Sequence, residues 1–152
     1  MPEPIATMTA RAIETLEMRR KLLGPEHPDV ATSLNNLAYL YYSQGRYEEA
    51  EPIYKQALEM RLKLLGNTHL NVAQSLNNLG LLYRSQGRYG EAEPLYKQAL
   101  EMRLKLLGAE QPEVASSLDN LAGLYRSQGR YEEAEPLYKQ ALEMRLELLG
   151  TA

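Results

Sequence analysis

Residues 24–65, 66–107 and 108–149 of this chain align without a gap at a period of 42 residues. The first and second copies match at 32 of 42 positions, the second and third at 31, and the first and third at 33. No other feature constrains the fold as strongly. A period of roughly 20–50 residues marks supersecondary units that cannot bury their apolar faces alone and must stack on their neighbours. The expected architecture is therefore a stack of like units rather than a closed globule.

Within each copy the apolar spacing predicts two helices. The first begins near Pro28, Leu70 or Pro112, and proline suits the first helical position because its missing N–H has no partner there. Val30, Leu34, Leu37, Ala38 and Tyr41 follow at three- and four-residue steps, which is helical periodicity. Ser43-Gln44-Gly45-Arg46 interrupts it as a turn. The second helix is expected from about Tyr47 to Leu65, with Tyr47, Ala50, Ile53, Tyr54, Ala57, Leu58, Leu62 and Leu65 as its apolar set. Gly24, Gly66, Gly108 and Gly150 stand where a left-handed cap would end that helix. Glu48, Glu49 and Glu51 at its start, with Arg61 and Lys63 near its end, suit the helix dipole. Glu51–Lys55 and Glu59–Lys63 have the spacing of i,i+4 ion pairs. Pro52, Pro94 and Pro136 lie several residues inside the second helix, where a small kink or an irregular first turn is expected.

Residues 17–24, EMRRKLLG, align with EMRLKLLG at 59–66, so residues 5–23 read as the second helix of an earlier, degenerate copy. The domain expectation is one repeat array: a half repeat over 1–23, repeats over 24–65, 66–107 and 108–149, and a tail at 150–152. Composition adds exclusions. The chain has no Cys and two His, which leaves no thiolate chemistry and little for a metal or a His-based site. No cofactor, metal site or catalytic residue is indicated, and an enzyme is the least favoured class. A net charge of −3 implies no general affinity for nucleic acid. No apolar run is long enough to span a membrane, and no targeting segment is visible, so a cytoplasmic location is the default expectation.

The residues Leu34, Leu37, Ala38, Tyr41, Gly45, Tyr47, Ala50, Tyr54 and Ala57 form L-x2-L-A-x2-Y-x3-G-x-Y-x2-A-x3-Y-x2-A. This pattern resembles the tetratricopeptide repeat signature, with Leu34 where that family usually has Trp. The period of 42 rather than 34, with HPDVATSLNNLA at 27–38 and YEEAEPIYKQAL at 47–58, resembles the kinesin-light-chain type of repeat and long bacterial and cyanobacterial arrays. The resemblance implies an all-α fold, a right-handed α-solenoid of antiparallel helix pairs with seven helices. It also implies a non-enzymatic scaffold that binds a peptide or a partner helix on a concave face lined by the first helices.

By that resemblance the groove positions are Thr32, Asn35, Asn36, Tyr39, Tyr42 and Ser43 in the first repeat. In the second they are Gln74, Asn77, Asn78, Leu81, Arg84 and Ser85, and in the third Ser116, Asp119, Asn120, Gly123, Arg126 and Ser127. Two features of the residues themselves point the same way. Asn disfavours a helix interior by about 0.6 kcal/mol against Ala, yet Asn recurs there in pairs. The copies also differ from one another at Thr32/Gln74/Ser116, Tyr39/Leu81/Gly123 and Tyr42/Arg84/Arg126, within the groove set. Asn36, Asn78 and Asn120 fit equally a bond to the adjacent repeat. Arg84 and Arg126, if they bind, favour a carboxylate-bearing peptide. Tyr54, Tyr96 and Tyr138 read as packing residues, and His27 and His69 as solvated turn residues. Two alternatives stand beside the peptide scaffold: a structural segment of a longer array with end-to-end self-association, and the sensor region of a larger signalling protein.

Overall fold

A computed structural model of the chain describes residues 3–150; residues 1 and 2, and most of the expected tail, at 151–152, lie outside them. Among the described residues there are seven α-helices and no strand: α1 (Ile5–Leu23), α2 (Pro28–Ser43), α3 (Tyr47–Leu65), α4 (Leu70–Ser85), α5 (Tyr89–Leu107), α6 (Pro112–Ser127) and α7 (Tyr131–Gly150). First helices start at 28, 70 and 112, and second helices at 47, 89 and 131, so the 42-residue period is carried directly into structure. The helix α1 has the 19-residue length of α3 and α5.

The chain divides into two compact units, Met1–Asn67 and Thr68–Ala152. In the first unit, Leu16 of α1, Val30, Leu34 and Leu37 of α2 and Ala57 of α3 form one buried cluster, flanked by Ala12, Ile13, Tyr41, Ile53 and Met60. In the second, Val114, Ala115 and Leu118 of α6 pack with Ala141 and Met144 of α7, against Leu100 and Leu137. Each large apolar side chain so buried contributes about 1.5–3 kcal/mol. Alanines at 38, 50 and 57 in the first unit and at 92, 99, 122 and 141 in the second are fully buried, which lets neighbouring helices approach closely.

The helix ends show where local chemistry differs from expectation. Gly24, Gly66 and Gly108 have φ of 92°, 86° and 83°, but their ψ values lie near 180°. They are not left-handed caps. They hold an extended positive-φ conformation that only glycine adopts readily, and it turns the chain out toward the next helix. At the fourth position the expected stop is absent, because α7 runs on through Gly150. His27 and His69 are not idle turn residues. Each imidazole Nδ1 accepts a hydrogen bond at 3.0 Å from the backbone N–H two residues on, capping α2 and α4. Gln111, at the same place before α6, makes no such side-chain bond.

Pro52, Pro94 and Pro136 sit inside continuous helices. Each is exposed, so the carbonyl that loses its donor four residues back faces water. The Glu51–Lys55 pair forms at 2.7 Å. Lys63 does not pair with Glu59: its ammonium turns instead to Glu26, at 2.7 Å from Oε2. Leu62 also departs from the expected apolar face and is 36% exposed.

Candidate functional site

Within the second unit α4 and α6 lie side by side and bring five of the sequence-derived positions together: Asn77, Asn120, Arg84, Gly123 and Ser127. Asn120 donates from Nδ2 to Oδ1 of Asn77 at 2.9 Å, so one bond of this asparagine row ties consecutive first helices. Arg84 donates to Ser127 Oγ at 3.3 Å. Its guanidinium lies over Gly123, where an added Cβ would come within 3.0 Å of one of its terminal nitrogens. Gly123 therefore makes room for Arg84, and the Tyr39/Leu81/Gly123 variation includes a packing adjustment to that arginine. Asp119 faces back to α7, where Arg145 pairs with it at 2.6 Å. Arg126 is exposed at the end of α6, Gln74 is exposed near the start of α4, and Asn78, Leu81 and Arg84 are half-buried along it.

In the first unit α2 carries its own set. Asn36 and Tyr39 are exposed, Tyr42 is half-buried, and Asn35 is buried. Tyr39 stacks on Tyr42 with ring centroids 6.4 Å apart, and Tyr42 packs in turn on Tyr47 at 5.4 Å. The two units thus offer different surfaces: an aromatic one on α2, and an amide and guanidinium one on α4 and α6.

Among the described residues no ion pair joins Arg84 or Arg126 to a carboxylate. The contrast with Arg46, Arg88 and Arg130 is instructive. Each of these follows the glycine of a Gln-Gly-Arg turn, lies over the tyrosine five residues earlier at 4.1–4.4 Å, and grips the glutamate three residues later. Their charge is spent inside the fold, and it holds Glu49 and Glu133 below the ordinary carboxylate range. Glu93 is likewise lowered, by Lys97 first and by Arg130.

Sequence reasoning passed over two further sets. Arg19 donates to Ser33 at 2.8 Å in the first unit, and Arg103 donates to Ser117 at 2.7 Å in the second, each joining a second helix to the first helix that follows it. Burial pushes the Arg103 guanidinium below its usual range, as it does Arg61, which is 3% exposed. These arginines and serines, like the Tyr-Arg-Glu brace of the turns, recur unchanged at a spacing of 42. That invariance was the available signal; a charged residue on a helix carries no sign of burial by itself. Tyr54 and Tyr96 are nearly fully buried, in keeping with a packing role, and burial raises the Tyr54 phenol above its usual range. Tyr138 is 37% exposed.

Among the described residues no group of three or more His, Asp or Glu comes together in a way that could hold a metal ion, and no helix is long and apolar enough to cross a membrane. The fold and this surface define a helical repeat protein, an all-α solenoid of paired helices. The chain belongs to the tetratricopeptide repeat family, whose model matches residues 10–63, 35–105 and 71–147. BtubC (BKLC) from P. vanneervenii superposes with a TM-score of 0.87 at 29% identity, over 96% of this chain and 58% of that one. A putative kinesin light chain of nearly identical TPR-like repeats from Podosopora anserina superposes at 0.82 with 26% identity, over 94% and 68%. Nephrocystin-3 from Xenopus laevis and from Homo sapiens is 46% identical over 43 residues, 28% of this chain but 3% of either relative. The chain thus spans a small part of the curated relatives that it matches. Tetratricopeptide repeats are in general protein-interaction scaffolds without enzymatic activity.

Proposed function

We propose that the chain is a non-enzymatic scaffold whose first helices bind an extended, acidic peptide segment. One observation carries the reading: Arg84 and Arg126 lie on the α4 and α6 surface without a carboxylate partner among the described residues, while the arginines of the turns are all engaged. A peptide carboxylate would complete Arg84 with a bidentate pair. Elsewhere on α4, Asn78 and Gln74 carry amides, a group with both donor and acceptor that suits a peptide's main chain. Asn77 and Asn120 supply the rigid floor, because their amides already bond to one another. On α2, Asn36, Tyr39 and Tyr42 offer the same kind of backbone an aromatic contact instead.

Isothermal titration against a panel of acidic, neutral and basic peptides tests this. Acidic peptides are expected to bind best, and Arg84→Ala with Arg126→Ala together to weaken them at least tenfold, since a hydrogen bond to a charged group contributes about 1.5–3 kcal/mol. Equal affinity for basic peptides, or an unchanged affinity in the double variant, overturns the assignment.

A further inference from the structure

We propose that the acidic group taken by the α4 and α6 surface is a phosphate ester, a phosphoserine or phosphothreonine of the bound segment. The inference rests on the peptide reading above and names the chemical group at its centre.

Three residues of α6 carry the argument. Gly123, Arg126 and Ser127 stand at i, i+3 and i+4, so they share one face of the helix. A long side chain on a helix leans back over the turn that precedes its own Cα. Arg126 is therefore directed toward Gly123. Arg84 already lies there from α4, with its guanidinium 3.0–3.3 Å from where a Cβ would stand. Ser127 Oγ accepts from Arg84 at 3.3 Å and donates to the Gly123 carbonyl at 3.0 Å, which ties the arginine to this turn. Two guanidiniums thus approach one bare stretch of helix. In the other two first helices Tyr39 and Leu81 stand in the place of Gly123, and a side chain fills that space.

Charge balance decides the ligand. Asp119, one turn earlier on the same face, is paired with Arg145 of α7 at 2.6 Å. It is thereby drawn away from Arg84 and Arg126. One carboxylate would offset only one of these two positive charges. A phosphoserine carries about −1.5 to −2 near neutral pH and presents three strong acceptor oxygens. That is enough for a two-pronged contact from Arg84 and a further one from Arg126.

The test is isothermal titration of the full chain with Gly-Glu-Glu-X-Glu-Glu-Gly, where X is serine, glutamate, two glutamates or phosphoserine. Phosphoserine should bind about tenfold more tightly than glutamate. It should also bind more tightly than two glutamates, which spread the same charge over two separate groups. Arg126→Ala should cost the phosphopeptide more than the glutamate peptide, so that the ratio of their affinities shrinks to about threefold or less. Lys105→Ala removes the same charge at the end of α5 that joins the start of α6, away from Arg126, and should leave the ratio as it was. Inorganic phosphate alone should bind more weakly than the phosphopeptide. If no peptide of the series binds, the peptide reading itself falls and this inference with it. The inference alone is overturned if the glutamate peptide binds but phosphoserine gains nothing over it or over two glutamates. It is also overturned if Arg126→Ala changes the ratio no more than Lys105→Ala, or if inorganic phosphate matches the phosphopeptide.

Discussion

Gly123 and Gly80 occupy first helices one step apart in role, and their surroundings give opposite consequences for the same substitution. A Cβ at Gly123 would meet the terminal nitrogens of Arg84, the far end of a flexible side chain that can swing away at little cost. Gly123→Ala is therefore expected to leave the urea midpoint unchanged or raise it, since alanine is favoured over glycine in a helix by about 0.8–1 kcal/mol. It should nonetheless weaken acidic-peptide binding by moving Arg84, and titration calorimetry on the same variant separates the two effects. A Cβ at Gly80 would lie 3.1 Å from the Tyr96 ring, which is buried and can give by only a few tenths of an ångström. The other two repeats carry Ala38 and Ala122 at this place, both fully buried, so the geometry is tolerated. Gly80→Ala should stabilise by about 0.5 kcal/mol, the propensity gain less the crowding, as read from chemical denaturation. The sequence shows both glycines as departures from a repeat. It does not show that one faces a ring and the other a guanidinium, because those neighbours come from another helix.

At the scale of the element, the helix bounds were almost wholly legible. Starts at Pro28, Leu70 and Pro112, the turn at Ser43-Gln44-Gly45-Arg46 and the lone helix over 5–23 are all local properties, set by periodicity and proline. The caps were less legible. Histidine is not among the side chains that habitually cap helices, so His27 and His69 gave no local sign of that role. The backbone ψ of Gly24, Gly66 and Gly108 is set by where the next helix must start, which no local rule contains. The interior prolines lead to a prediction at this scale. Pro52 is solvent-exposed and lacks the N–H that would bond the carbonyl of Glu48. Pro52→Ala restores that bond and removes the ring from the carbonyl. A gain of about 1 kcal/mol is expected, below the ~3 kcal/mol of a mid-helix proline because water already serves the carbonyl. A rise in the thermal midpoint measured by circular dichroism checks it, and a fall would show that the proline ring packs favourably.

For the molecule as a whole, acid is the expected weakness. Glu49 and Glu133, held by Arg46 and Arg130, and Glu93, held by Lys97 and Arg130, all have pKa values below the ordinary carboxylate value. A depressed folded-state pKa contributes stability that is present above the unfolded value and is lost as pH falls through the folded one. Stability should thus be level near neutrality and decline as pH drops below about 4. Because Glu49 and Glu133 are exposed, their share of the decline should be shallower in high salt, while that of the half-buried Glu93 is screened less. Urea midpoints at pH 7, 4 and 3, with and without added salt, measure this, and a midpoint that rises on acidification contradicts it.

The sequence alone determined that the chain is an all-α repeat protein and where its helices begin. Each of these follows from a period, either 3.6 residues within a helix or 42 along the chain, and a period is a property of the string. Tertiary structure decided the rest, because identical strings meet different neighbours. YKQALEMRL buries its tyrosine on α5 and exposes it on α7 according to whether a helix lies beside it. Arg103 reaches Ser117 while Arg145 reaches Asp119, and Arg130 grips Glu93 while Arg84 reaches Ser127. Which side chains are engaged, and with what, depends on contacts between residues far apart in the chain, and periodicity does not encode these.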